Sequence, residues 1–178
     1  LACLVSGLKQ GDEAITTPIT FLATANSVLY AGAKPIFADI NYKTVNIDIK
    51  GIEKRITKKT KVILPVHFAG LPCEMPEIYK IAKKNGLKII EDACHALGAE
   101  YRHKGKWIKV GACEHSDMTV FSFHPVKQIT TGEGGIITTN NSGLYKKLSA
   151  LRTHGVYKNE RMIKNEGPWY YEMRTLGF

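Results

Sequence analysis

The sequence has no apolar run approaching the roughly 18–20 residues of a membrane-spanning helix, no internal repeat and no low-complexity tract. Nor does it open on the basic, apolar and small-residue pattern of a signal peptide. Those absences set aside the membrane-spanning, repeat and disordered classes. Cysteine is sparse: Cys3, Cys73, Cys94 and Cys113 lie far apart, and none forms a C-x₂-C pair. This is the usage of reduced thiols in a cytoplasmic protein, not of a disulfide framework. Acidic residues are outnumbered, 16 against 25 Lys+Arg, giving a formal net charge of +9. Lysine supplies 20 of those 25, spread along the chain and bunched at Lys58, Lys59 and Lys61. No nucleic-acid-reading motif accompanies them, so the excess reads as a solvated face compatible with anionic small substrates. Neither nucleic acid nor membrane is expected as a partner.

What is present is an ordinary globular composition. With 178 residues, 44% of them hydrophobic, a chain of this size buries roughly 70% of its unfolded surface. Because Leu1 stands first, the chain is expected to be part of a longer one. Short β-type runs alternate with helical ones. Residues 34–39 (KPIFAD), 61–66 (KVILPV), 87–90, 118–123 and 135–139 read as strands. Leu1, Leu4, Val5 and Leu8 stand at helical spacing, and residues 21–31 are helical, closed by Gly32. Further helices are predicted at 47–57, 74–84, where Ile78, Ile81 and Ala82 share a face, and 144–151. Alternation of this kind predicts an α/β fold of three layers around a mixed, mainly parallel sheet. Residues 1–152 are expected to form one domain. Residues 153–178, polar and aromatic with little period, read as a lid or interface segment leading to a second domain.

In open α/β sheets ligands bind beyond the carboxyl ends of the strands, which marks the residues that follow each predicted strand. These are His67 and Phe68, then Glu91, Asp92 and His95, then His124, Lys127 and the run Thr130–Gly135 (TTGEGG). Two carboxylates, several histidines and one lysine are therefore expected to converge. Lys127 reads either as a solvated loop lysine or as a Schiff-base lysine made nucleophilic by its surroundings. Asp92 reads either as a turn acid or as a carboxylate that keeps a pyridinium nitrogen protonated. Together they are the pairing that pyridoxal chemistry requires.

Four blocks carry a resemblance: GDEAITTPITFLATANSVLYAGAKPIFADI (11–40), VHFAGLPCEM (66–75), IIEDACHALGA (89–99) and FSFHPVKQITTGEGGIITTN (121–140). In their order and spacing the chain resembles the DegT/DnrJ/EryC1/StrS sugar aminotransferases. Within that family, SFHPVKQITTGEGG and the ending GPWYYEMRTLGF are most similar to the subgroup that makes UDP-4-amino-4,6-dideoxy-N-acetyl-β-L-altrosamine for pseudaminic acid. The resemblance implies an aspartate-aminotransferase-type large domain (pyridoxal-phosphate transferase fold I), here a fragment, and pyridoxal 5'-phosphate as cofactor. It implies a nucleotide-sugar substrate aminated at a 4-keto carbon, an amino-acid donor (glutamate) and a homodimer with shared sites. Lys127 then matches the lysine that bonds to the cofactor, and Asp92 the partner of the pyridine nitrogen. His95 falls near the ring and its phenolic oxygen, Phe21 where an aromatic stacks on the ring, and Ser122 where a serine holds the phosphate. The family's phosphate-cradling loop is expected before Leu1, so the fragment alone is expected to be inactive.

Three other readings stand beside this one. A relative with histidine in place of the lysine performs sugar deoxygenation, and Lys127 argues against it. Cys94, His95, Cys113 and His115 suggest a zinc site, but adjacent Cys-His is poor chelate geometry, and no metal is expected. A non-catalytic nucleotide-sugar-binding or sensor protein on the same fold is the remaining alternative, and the retained Asp92 and Lys127 weigh against it.

Overall fold

A computed structural model describes residues 1–158 and 160–178. Residue 159, within the 153–178 segment, lies outside the described residues. The chain divides into two compact units, Ala2–Asn140 and, with Leu1, Asn141–Phe178.

In the first unit the order is α1 (Ala2–Val5), β1 (Glu13–Thr16), α2 (Ala23–Tyr30), β2 (Lys34–Phe37), α3 (Ile49–Arg55), β3 (Thr60–Ile63), α4 (Met75–Asn85), β4 (Lys88–Asp92), β5 (Glu100–His103), β6 (Lys106–Lys109), β7 (Met118–Ser122) and β8 (Gly135–Thr138). Six strands form one sheet in the order β2-β1-β3-β4-β7-β8. Every pair in it is parallel except β7–β8. The α/β fold with a mixed, mainly parallel sheet is therefore the one predicted.

Local chemistry sets the helices. Asp48 caps α3 by accepting the Gly51 N–H at 2.8 Å. In α4, Pro76 occupies the first turn and Gly86 ends the helix in the left-handed conformation (φ +64°). The buried face of α4, Met75, Ile78, Ile81 and Ala82, packs with Ile52 of α3 on Ile15, Ile63 and Ile89 of β1, β3 and β4. Fully burying each such aliphatic side chain contributes about 1.5–3 kcal/mol. The alternate strand residues Ala14, Val62 and Ile90 are buried as well, and successive strand side chains point to opposite faces. Val28 of α2 is buried too, and α2 lies on β1 and β2. Both faces of the parallel sheet are thus covered.

Several elements, β1 among them, were not evident from periodicity. Strands β5 and β6 form an antiparallel hairpin about Lys104 and Gly105, both at positive φ (48° and 81°), a two-residue turn whose twist suits a hairpin. In the second unit, α5 (Ser142–Leu151) is capped by the Asn141 side chain. Strands β9 (Val156–Tyr157) and β10 (Glu172–Met173) pair antiparallel, and α6 (Glu160–Glu166) lies between them in sequence. Two turns of helix are too few for a period to show in the sequence.

A buried polar pair interrupts the core. His67 and Glu91 are nearly inaccessible, and His67 Nε2 lies 2.8 Å from Glu91 Oε2. The Cys73 N–H donates to His67 Nδ1 at 3.0 Å, which leaves the ring proton on Nε2, donated to Glu91. Glu91 Oε1 accepts from Ser116 and from Thr119, the latter at 2.7 Å. Burial opposes ionisation of Glu91, but the bonds from His67, Ser116 and Thr119 outweigh it and hold the carboxyl below its ordinary value. A folded-state pKa below the unfolded one adds stability at neutral pH that disappears as pH falls through the folded value. Glu91→Gln sets an amide N–H₂ or a weakened acceptor against the His67 N–H. It is expected to cost about 1–3 kcal/mol in urea unfolding at pH 7 and to remove the part of the acid-side loss due to this group, which sets in as pH falls below the ordinary carboxylate range. Equal stability of the two proteins at pH 7 would contradict this account of the pair.

Candidate active site

Loops after four strands of the sheet enclose one cavity of about 610 Å³. Residues 18–24 follow β1, Val66, His67 and Phe68 follow β3, Asp92, Cys94 and His95 end β4, and Ser122, His124, Val126 and Lys127 end β7. This is the carboxyl edge of the parallel sheet, where the rule for open α/β sheets places a ligand.

Lys127, Asp92, His95, Phe21 and Ser122 all line this cavity. Phe21 precedes α2, lines the cavity and is 72% exposed as a residue. Asp92 is the last residue of β4, partly buried and held through both oxygens. Thr24 Oγ1 donates to Oδ2 at 2.6 Å, and the Cys94 N–H donates to Oδ1 at 3.2 Å. Thr24 is itself 2.8 Å from Thr20 Oγ1, so a chain of hydroxyls backs the carboxylate. Lys127 lies in the turn after β7, closed by its own N–H on the His124 carbonyl at 2.9 Å. The TTGEGG loop folds back on this turn through Thr131 N–H to Phe123 O (3.0 Å) and Phe123 N–H to Gly134 O (2.8 Å).

Cys94 also faces the cavity, but burial and then the neighbouring Asp92 charge push its thiol up to about 12. At neutral pH it is a protonated thiol and a poor nucleophile.

One expectation is corrected. The carboxylates at the end of β4 do not converge, because adjacent strand residues point to opposite faces. Asp92 turns to the cavity, and Glu91 turns into the core against His67. His67 borders the cavity, yet both of its ring nitrogens are already bonded. The weighed zinc set also comes apart: Cys113 bonds to Thr119 and Thr138 and His115 to Tyr101, away from Cys94 and His95. Among the described residues no group of three or more His, Cys, Asp or Glu is arranged to hold a metal ion.

Sequence reasoning passed over Thr24 and Thr20. The signal was present in TPITFLAT, where Thr20 and Thr24 stand four apart, one helical turn, flanking the aromatic. The carboxylate partner of Thr24, however, is 68 positions away.

The model of the DegT/DnrJ/EryC1/StrS aminotransferase family matches residues 1–177, and the chain belongs to that family. It is 45% identical over its whole length to UDP-4-amino-4,6-dideoxy-N-acetyl-beta-L-altrosamine transaminase of Campylobacter jejuni, covering 44% of that protein. It is 44% identical, over 90% of its length, to GDP-perosamine synthase of Caulobacter vibrioides, covering 42% of it. Among solved structures, NtdA of Bacillus subtilis with bound cofactor PMP superposes with a TM-score of 0.79 at 38% identity, over 98% of this chain and 36% of that one. The chain thus spans less than half the length of these relatives.

Thr24→Val replaces the hydroxyl on Asp92 with a methyl group of similar size. It is expected to lower stability by about 1–3 kcal/mol, the cost of a partly buried carboxylate losing a donor, whereas Thr24→Ser loses less than half of that. Urea denaturation of the three proteins decides, and equal losses for Val and Ser would mean that packing, not the hydroxyl, is what Thr24 supplies.

Proposed function

We propose that this chain carries the cofactor-binding part of a pyridoxal-phosphate-dependent aminotransferase acting on a nucleotide sugar. The carrying observation is the single cavity in which the Lys127 amine, the Asp92 carboxylate and Phe21 meet, in a chain of an aminotransferase family. The donor set fits the cofactor: a primary amine suited to an aldehyde, an acceptor held by two hydrogen bonds for a ring N–H, an aromatic face and a hydroxyl for a phosphate.

When bound, pyridoxal phosphate supplies an electron sink that makes a substrate C–H bond adjacent to nitrogen acidic. The protein's part is to orient the group and to move protons. Asp92 keeps a carboxylate oxygen toward the pocket and holds the proton on the ring nitrogen, because a nearby negative charge favours the charged form. Phe21 would cover a ring face, His95 would stand near the phenolic oxygen and Ser122 would donate its hydroxyl to the phosphate. Lys127 Nζ would be the point of attachment and, as a free amine, the base that accepts a proton from the substrate carbon.

Glutamate is the proposed donor and a 4-keto nucleotide sugar the proposed acceptor, for surface polysaccharide. Both named relatives carry an amino sugar in their titles: an altrosamine derivative on UDP and perosamine on GDP. Their similar identities leave the altrosamine precursor as one acceptor among several. A cytoplasmic homodimer is the proposed assembly.

The test uses the full-length protein. Addition of pyridoxal phosphate is expected to give a visible absorption band, and borohydride reduction to leave the adduct on the Lys127 peptide. Lys127→Arg is expected to abolish both. Glutamate is expected to bleach the band and release 2-oxoglutarate, which a binding or sensor protein would not do. Adducts scattered over surface lysines would refute the role of Lys127. Asp92→Asn is expected to retain the adduct while turnover with a 4-keto nucleotide sugar falls by about 100-fold or more. Turnover within threefold of wild type would remove Asp92 from the mechanism.

A further inference from the structure

Three stretches of the cavity wall meet at one atom, the carbonyl oxygen of His95. Gln128 Nε2 donates to it at 2.7 Å, across 33 positions of sequence. From the stretch after β3, beyond the lining residues His67 and Phe68, Gly70, at φ +87°, approaches so closely that a Cβ there would stand 2.8 Å from the same oxygen. Each stretch carries part of the site. His95 ends the turn that begins at Asp92, Gln128 immediately follows Lys127, and Gly70 closes the short helical turn after His67 by donating its N–H to the His67 carbonyl at 3.1 Å.

We infer that Gln128 is a positioning residue, whose side-chain amide fastens the Lys127 turn to the Asp92–His95 turn and so sets the distance between amine and carboxylate. The inference rests on the reading that Lys127 and Asp92 serve one cofactor. Its chemistry is specific. The bond runs from an uncharged amide N–H to a carbonyl oxygen, so it holds across the pH range in which a lysine amine must change charge. Glutamate has the same length but, when ionised, offers only acceptors to an acceptor. Alanine reaches nothing. Because the bond lies at the surface, its loss leaves global stability nearly unchanged. Displacing a reacting group by a fraction of an ångström, in contrast, slows chemistry steeply. Gly70 bears on the same oxygen by sterics alone and has no room for a side chain.

The test uses full-length wild type, Gln128→Ala and Gln128→Glu at pH 8. Amide hydrogen exchange is first measured without cofactor, and capture of pyridoxal phosphate is then followed by its visible band and by the reduced Lys127 peptide. Both variants are expected to exchange faster than wild type in peptides covering 92–97 and 123–131, with an unchanged melting temperature. They are also expected to capture the cofactor on Lys127 roughly tenfold more slowly. Gly70→Ala, which pushes on the same carbonyl, is expected to raise exchange in 92–97. Wild-type exchange in both peptides for either Gln128 variant overturns the inference, as does a wild-type capture rate for Gln128→Glu. If wild type itself forms no adduct on Lys127, the cofactor reading fails, and the exchange data still decide whether Gln128 joins the two turns.

Discussion

The facing of β4 depends on the buried carboxylate of Glu91. Three side-chain donors, His67 Nε2, Ser116 Oγ and Thr119 Oγ1, close on it inside the core. A one-residue slip of the strand would carry that charge to the opposite face and leave the donors unpaired, at a cost of about 1–3 kcal/mol for each. The neighbouring residue is Asp92, so the interaction that fixes Glu91 inward also fixes Asp92 outward, toward the cavity and Thr24. One polar cluster inside the core thus helps set which carboxylate faces the cavity.

The rest of the site is assembled from loops that follow parallel strands, and such loops need tying together. Asp92 is tied to α2 through Thr24, and the lysine turn is tied to the TTGEGG loop by two backbone bonds. Gln128 then ties it to the turn after β4. These links join segments distant in sequence, so the cavity forms only once the sheet order β1-β3-β4-β7 exists. Family membership accords with this construction, the family's match running over residues 1–177.

Much of the architecture was legible because strands such as TKVI and KIIED are short apolar or β-branched runs, while MPEIYKIAKKN has helical period, Pro near its start and Gly after its end. The strand-end rule then brought Lys127, Asp92 and His95 to one edge, and the motif resemblance added Phe21 and Ser122. What stayed hidden had physical causes. Topology alone could not tell Glu91 from Asp92, because both end the same strand and only the alternation of facing separates them. Thr24 and Gln128 act through partners 68 and 33 positions away, and no local pattern marks such a bond. The hairpin about Lys104–Gly105 turns on two positive-φ residues, one of them a lysine, which turn preferences do not single out.

The central claim is that Asp92, turned outward by the Glu91 cluster, holds a proton on the nitrogen of the cofactor attached to Lys127. Nuclear magnetic resonance of the full-length protein loaded with pyridoxal phosphate labelled with ¹⁵N in the ring reads that proton directly. The account predicts a protonated ring nitrogen at neutral pH in the wild type and its loss in Asp92→Asn. An unprotonated nitrogen in the wild type, or the same signal in both proteins, would contradict it.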